Sequence, residues 1–329
     1  MKKRSVLMVC AAMGLCLVGS SVITVNAEET YEIAFIAKNA TSNWGQRMGK
    51  GITKFNEEHE NVNVIYDGPQ VQDSASQTAL VESYIAQQVD ALIVNPMDIQ
   101  ALEPTLKSAR DAGIVVITHE ASTGENIDYD VEAVINTDFG EMGLEQITEQ
   151  LGDRSGTYVY MVGRFTNVSH NQWGDAAEAH VADFPNLTLG DRVESGESAD
   201  GAYNKTIELI KTYPDFVAVQ ASSAAELPGI CNAVEQSGLS GKIVMGGLGI
   251  PSQVSQYLES GVLQSCITWD PMNATYACCE AALKVLEGET IENGASLGEG
   301  YESVTVDDKV VVGSDINVIT KDNWETFGF

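Results

Sequence analysis

Polar and aromatic residues gather immediately after short apolar runs in this chain. Lys38, Asn39 and Trp44 follow the run at 33–37, and His119 and Glu120 follow the run at 114–118. Asn136 and Asp138 close a run at 133–136, and Ser169, His170, Asn171, Gln172 and Trp173 come after 157–162. Ser222 and Ala224 follow 216–220, and Trp269 and Asp270 follow 263–268. Carboxylates, amides and an ammonium pair well with hydroxyl groups, and an indole face covers a patch of C–H bonds. The chemistry these residues suit is reversible capture of a polyol. Such capture is selective, because an unpaired buried polar group costs about 1–3 kcal/mol.

Each candidate has a structural rival. Trp44, at the start of a helical pattern, serves equally as core. Lys38 reads as a surface ion pair, and His119 with Glu120 as a solvated pair. Asn171 and Asp270 are both good helix caps. Trp173 reads as packing beneath a site, not as touching what the site holds. For Lys38, Glu120 and Asp270 the position after a strand favours ligand contact, with hinge use a further reading for Asp270.

Catalytic signatures are missing. Gly45 and Gly49-Lys50 are one residue too close for a phosphate-binding loop, and Gly51 follows the lysine. Gly247-Leu248-Gly249 follows a strand, but Ser252 stands where a dinucleotide fingerprint needs its third glycine. The segment from Gly196 through Glu197 to Asp200 stops short of a nucleophile elbow. None of the histidines, His59, His119, His170 and His180, sits in a zinc-protease motif, and Asp128 to Asp130 opens no calcium loop. No catalytic residue, metal site or cofactor is expected.

Positioning these residues requires strands and helices in alternation. Strands are read at 33–37, 62–66, 91–94, 114–118 and 133–136, then at 157–162, 216–220, 243–245 and 263–268. Helices are read at 44–56, 72–87 and around 102–109, then at 144–151, 172–181, 201–212, 225–236 and 271–286. The tail from 301 to 329 is mostly strand-like, with a helical turn near 322–326. Strands apolar on both faces, separated by helices, imply parallel sheets covered on both sides. The series runs once before about residue 138 and again after it. The fold class is therefore α/β, with two Rossmann-like parallel-sheet lobes and a cleft between them.

The chain has 329 residues and a formal net charge of −29. Such a surface repels nucleic-acid phosphates, so no nucleic-acid partner is expected. Lys2, Lys3 and Arg4 precede an apolar run at 6–18, and Val25-Asn26-Ala27 fits a signal-peptidase site before Glu28. Residues 1–27 read as a signal peptide, too short in their apolar run for a span of roughly 20 residues. Leu15 before Cys16 is a poor lipidation match, so a soluble exported protein is favoured over a lipoprotein. Cys10 and Cys16 leave with the signal. Cys278 falls on a helical stripe with Ala274, Ala277, Ala281, Ala282 and Val285, as a small buried hydrophobe does.

At these residues the chain resembles the ribose-binding-type periplasmic proteins of ABC importers, nearest the autoinducer-2 and rhamnose binders. The matching pieces are residues 33–38, 66–69, 171–173, 227–228, 269–270 and 319–323, spread over nearly the whole exported chain. The resemblance implies a type I periplasmic binding fold, joined by a hinge. Its N-terminal lobe would span 28–138, its C-terminal lobe 139–269, and 270–329 would return as helix and crossover segments. In the autoinducer-2 binders a lysine after the first strand matches Lys38, and an aspartate position is taken here by Glu120. Ser169-His170 stands in place of an Asp-Gln pair, and Ser222 replaces a proline while Ala224 matches.

The implied protein is a monomer. Its partners are a small sugar-like ligand and an ABC permease with its ATPase. Two alternatives remain open at this point: a ligand-presenting sensory protein, and a secreted enzyme acting on a carbohydrate.

Overall fold

The computed structural model describes residues 30–70 and 72–329. The expected signal segment, with its cleavage point and Cys10 and Cys16, lies outside the described residues. The first series comprises β1 (Tyr31–Ile36), α1 (Asn43–Glu58), β2 (Val62–Asp67), α2 (Ser74–Gln87), β3 (Ala91–Val94), α3 (Ile99–Asp111), β4 (Val115–His119) and β5 (Tyr129–Glu132). The second begins with α4 (Asn136–Leu151), β6 (Gly156–Val162), α5 (Val168–His180), β7 (Leu187–Leu189), β8 (Val193–Glu194) and α6 (Ala199–Thr212). It continues through β9 (Phe216–Ala221), α7 (Glu226–Gln236), β10 (Val244–Gly247), α8 (Pro251–Ser260) and β11 (Ser265–Thr268). Then come α9 (Pro271–Leu286), β12 (Thr305–Asp307), β13 (Val310–Val312) and β14 (Asn317–Thr320).

Two parallel sheets result. The first has the order β12-β13-β5-β4-β3-β1-β2, parallel except for the β12–β13 hairpin. The second has the order β10-β9-β6-β7, with β8 extending the pairing of β6. The chain passes to the second sheet after β5. It returns after β11 through α9, which packs on α1 and on β3, β4 and β5. It goes back after β13 as β14, antiparallel to β11. The α1–α9 contact is close because α1 carries Gly51, where a Cβ would stand 2.4 Å from the Met272 carbonyl oxygen.

Strand β1 shows why the sheet is buried on both faces. Ile33 and Phe35 join one apolar cluster, while Ala34 and Ile36 join another with residues of α2 and α3. That is the period-two alternation of a strand with helices above and below. Polar caps then start the helices just beyond the strand ends. Ser42, Asp73, Asp98, Asn167, Ser198 and Asp270 each accept a backbone N–H in the first turn of their helix. Each such cap contributes about 1 kcal/mol.

Several elements differ from the sequence reading, among them the short strands β7 and β8, which it does not contain. The strand expected at 133–136 lies instead at Tyr129–Glu132, and Asn136 is the first residue of α4. Its buried Asp130 and Glu132 hid the strand from an apolar-run criterion. Helix α5 starts at Val168, capped by Asn167, so Ser169, His170 and Asn171 form its first turn. Helix α8 went unread, although Pro251 opens it and left-handed Gly261 closes it. The four described cysteines, Cys231, Cys266, Cys278 and Cys279, are free and buried.

Candidate functional site

The carboxyl ends of both sheets open onto one cavity of about 120 Å³. One water needs roughly 10–15 Å³, and drug-sized pockets begin near 300 Å³, so this cavity suits a compact molecule. Lys38, Asn39, Trp44 and Met48 line it from the β1–α1 segment, with Gln72 before α2, Asn95 after β3 and Glu120 after β4. From the second series come His170, Glu197, Ser223, Ala224, Ala225, Leu248, Ile250 and Gln253.

A buried ion pair forms the first wall. Lys38 Nζ donates to Glu120 Oε2 at 2.7 Å, and both residues are nearly inaccessible. Burial alone would lower the lysine pKa, but Glu120, then Glu197, holds it above the ordinary lysine value. Burial alone would raise Glu120, yet the Lys38 ammonium brings it down to about 2. Glu120 also sits at φ +59°, a left-handed conformation that non-glycine residues seldom adopt. Such strain persists where the surroundings over-determine it, and it clusters at ligand clamps. Asn95 supplies part of that determination, donating to the His119 carbonyl at 2.9 Å and to Glu120 Oε2 at 3.3 Å. Gln77 fixes Asn95 in turn, donating to its carbonyl at 2.9 Å and accepting from Met97 N at 3.0 Å.

The second wall carries His170 and Glu197. Burial and then the Lys38 charge push the His170 pKa down to about 4, so its ring is neutral at pH 7. Among the described residues its buried Nδ1 has no hydrogen-bond partner. Glu197 takes a left-handed backbone at φ +54°. Gln72 Nε2 reaches across the cavity to Glu197 Oε2 at 2.7 Å, and Arg164 Nη2 donates back to Gln72 Oε1 at 3.3 Å. Beneath this wall Glu226 ties two cavity loops together. It accepts from Ser195 Oγ at 2.5 Å, Ser222 N at 2.7 Å and Ser223 N at 2.9 Å. Burial outweighs these bonds and pushes its carboxyl up to about 8.

The floor between the lobes is aromatic. Trp44 meets Trp269 edge-on at 5.3 Å, Trp269 meets Trp173 at 5.5 Å, and Phe139 packs against both. Trp44 is half-buried, both part of this stack and part of the cavity wall. Trp173 is fully buried beneath the cavity and donates its Nε1–H to Asn136 Oδ1 at 2.5 Å.

Of the residues singled out by sequence, the cavity brings together Lys38, Asn39, Trp44, Glu120, His170 and Ala224. Asn39 also folds the turn into α1, its Oδ1 accepting from Thr41 N at 2.9 Å and Ser42 N at 3.1 Å. The others stand behind the walls. His119 is buried, with its Nδ1–H on the Val131 carbonyl at 2.6 Å. Ser169 donates to Glu132 at 3.0 Å, and Asn136 donates to Gln172 at 2.6 Å. Asn171 donates to the carbonyls of Asn167 and Arg164, and Ser222 Oγ accepts from Gly163 N at 2.8 Å. Asp270 caps α9 and accepts hydrogen bonds from Nε and Nη2 of Arg47. Sequence reasoning missed Gln72, Asn95 and Glu197. Asn95 directly follows β3, so the strand-end rule applied to it as well. Among the described residues no group of three or more His, Cys, Asp or Glu could hold a metal ion.

Residues 33–290 match the family model described as periplasmic binding protein domain. A D-ribose/D-allose-binding protein of Pseudomonas aeruginosa is 26% identical over 287 residues, 83% of this chain and 88% of its own length. Ribose import binding protein RbsB of Bacillus subtilis is 27% identical over 253 residues, 76% of this chain and 79% of its own. Two solved structures share the architecture. LsrB from Clostridium saccharobutylicum, in complex with AI-2, has a TM-score of 0.81 at 22% identity over 91% of this chain and 100% of that one. An ABC transporter solute-binding protein from Clostridium phytofermentas with bound L-rhamnose has a TM-score of 0.82 at 19% identity over 91% of this chain and 98% of that one. The fold is the two-lobed type I periplasmic binding architecture.

Proposed function

The chain belongs to the periplasmic binding protein domain family, and from that premise we propose that it is the extracytoplasmic substrate-binding component of an ABC importer. The family's members are solute-binding proteins, not enzymes. The ligand in this reading is a small sugar or sugar-like molecule: rhamnose, autoinducer-2 or a related polyol. One observation carries it. A compact cavity at the strand ends sets Lys38, Glu120, His170 and Glu197 against an apolar side made by Trp44, Met48, Leu248 and Ile250. The polar side can pair hydroxyls, and the apolar side accepts a methyl group or a C–H face.

The working cycle then follows from the two sheets. In this reading the first sheet with α9 forms one lobe, and the second sheet with β11 and β14 forms the other. Ligand bridges the lobes, hinge closure buries it, and a membrane permease with its ATPase receives the closed form. Residues 1–27 direct export, and the exported protein acts as a monomer. Among the described residues no helix is long and apolar enough to cross a membrane.

The test is thermal unfolding of residues 28–329 against rhamnose, ribose, xylose, other monosaccharides, polyols and autoinducer-2. A ligand at 100 times its dissociation constant stabilises the folded state by about 2.7 kcal/mol. A clear shift from one panel member supports the reading. No shift from any member, with the protein folded and free of carried-over ligand, contradicts it.

A further inference from the structure

The charged walls of the cavity are unequal. Among the described residues one lysine faces two glutamates, and Lys38 is already engaged by Glu120 at 2.7 Å. Glu197 is different. Among the described residues its carboxylate takes a hydrogen bond from Gln72 and enters no ion pair. Its place beside His170 is built by a glycine: a Cβ on Gly163 would stand 2.7 Å from both Glu197 Cγ and His170 Nδ1. Gly196, at φ +71°, and Glu197 itself, at φ +54°, both adopt left-handed backbone to turn the side chain into the cavity. Arg164 reaches Gln72 but is not part of the cavity wall.

Resting on the binding reading above, we infer that Glu197 is a specificity-determining residue whose carboxylate accepts ligand hydroxyl or ammonium protons, so that the cleft takes neutral and amine-bearing polyols and rejects sugar acids. A carboxylate on the ligand would be buried beside Glu197 with the Lys38 ammonium already paired. An anion held there without a partner is unfavourable, whereas hydroxyls and an ammonium both donate to Glu197. The selection comes from the second series of the chain, so it acts as the lobes close on the ligand.

The experiment measures dissociation constants for D-ribose, D-xylose, L-rhamnose and D-galactose, each beside its aldonate and its amino-deoxy counterpart. It uses residues 28–329 as wild type, Glu197→Gln and Gln72→Ala. For the sugar that binds, the expected wild-type result is at least 100-fold weaker binding of the acid and no weaker binding of the amine. Glu197→Gln is expected to shrink the penalty on the acid at least tenfold and to weaken the amine. Gln72→Ala removes the amide but keeps the carboxylate, and the acid penalty is expected to persist. An acid that binds wild type as well as the neutral sugar, or a penalty unchanged in folded Glu197→Gln, overturns the assignment. Absence of binding by all twelve compounds, and by autoinducer-2 and the polyols of the thermal panel, would instead overturn the binding reading beneath it, and this inference with it.

Discussion

Lys38 and Glu120, separated by 82 positions in sequence, meet through a 2.7 Å contact at the carboxyl ends of β1 and β4. Strand β3 lies between β1 and β4, and its following residue, Asn95, ties the pair to the sheet. A buried ion pair adds little net stability over a well-packed apolar replacement, but an orphaned member is costly. In the proposed reading the pair serves a bound molecule through the polar atoms it presents in the cavity wall.

Lys38→Ala is expected to destabilise the protein by about 3–5 kcal/mol, because Glu120 is left buried and unpaired. The double variant Lys38→Met with Glu120→Leu is expected to recover most of that stability without recovering ligand binding. Chemical denaturation and ligand titration on the same samples check both statements.

The acid limb of stability should carry two components. His170 titrates lower in the folded chain, about 4 against an ordinary 6.5, so its contribution is present above pH 6.5 and is lost as pH falls toward 4. That shift corresponds to roughly 3 kcal/mol. Glu120, held at about 2 against an ordinary 4.5, contributes above pH 4.5 and loses that contribution as pH falls toward 2. Glu226 acts in the opposite sense: raised to about 8, it favours the folded state most below pH 4.5, and this fades as pH rises through 8. Unfolding free energies from pH 3 to 9 for wild type and His170→Gln test this. Because Glu226 offsets His170 over much of this range in wild type, the expected result is a difference between the two proteins: the variant gains stability over wild type as pH falls from 6.5 toward 4.

Much of this arrangement was legible in sequence. The strand at 91–94 and the helix at 271–286 were read with the bounds that β3 and α9 have. The strand-end rule led to Lys38, Glu120, His170 and Ala224 because each lies within the loop or first helical turn that follows a recognisable strand. Glu197 escaped it because β8, only Val193–Glu194, is too short to show any period. Gln72 escaped because it was read as the start of a helix that begins at Ser74. Strand β5 was misplaced because two of its three buried positions are acids paired by Thr118, Ser169 and Asn136, partners that only the tertiary fold supplies.

Asp270→Ala tests hinge use against ligand contact. The substitution removes the α9 cap and the two-point pairing with Arg47. A stability loss of about 1–3 kcal/mol is expected, from the cap and a partly buried charged hydrogen bond. Ligand contacts in the cavity are untouched, so a change in affinity beyond tenfold would place Asp270 in the site itself.

Gln72→Ala is expected to speed ligand release about five- to tenfold, with a smaller effect on capture. Gln72 bridges the two series of the chain through Glu197 and Arg164, so its removal is expected to ease opening of the cleft. Stopped-flow tryptophan fluorescence reads both rates, with Trp44 in the cavity wall as reporter.

The most direct test of the binding cleft is calorimetric titration of residues 28–329, refolded free of carried-over ligand, with the sugar that gives the largest thermal shift. The expected result is one molecule bound per chain, with affinity at least 100-fold weaker in folded Lys38→Ala or Glu120→Ala. Binding that survives both substitutions unchanged would contradict the placement of the ligand between Lys38, Glu120 and His170.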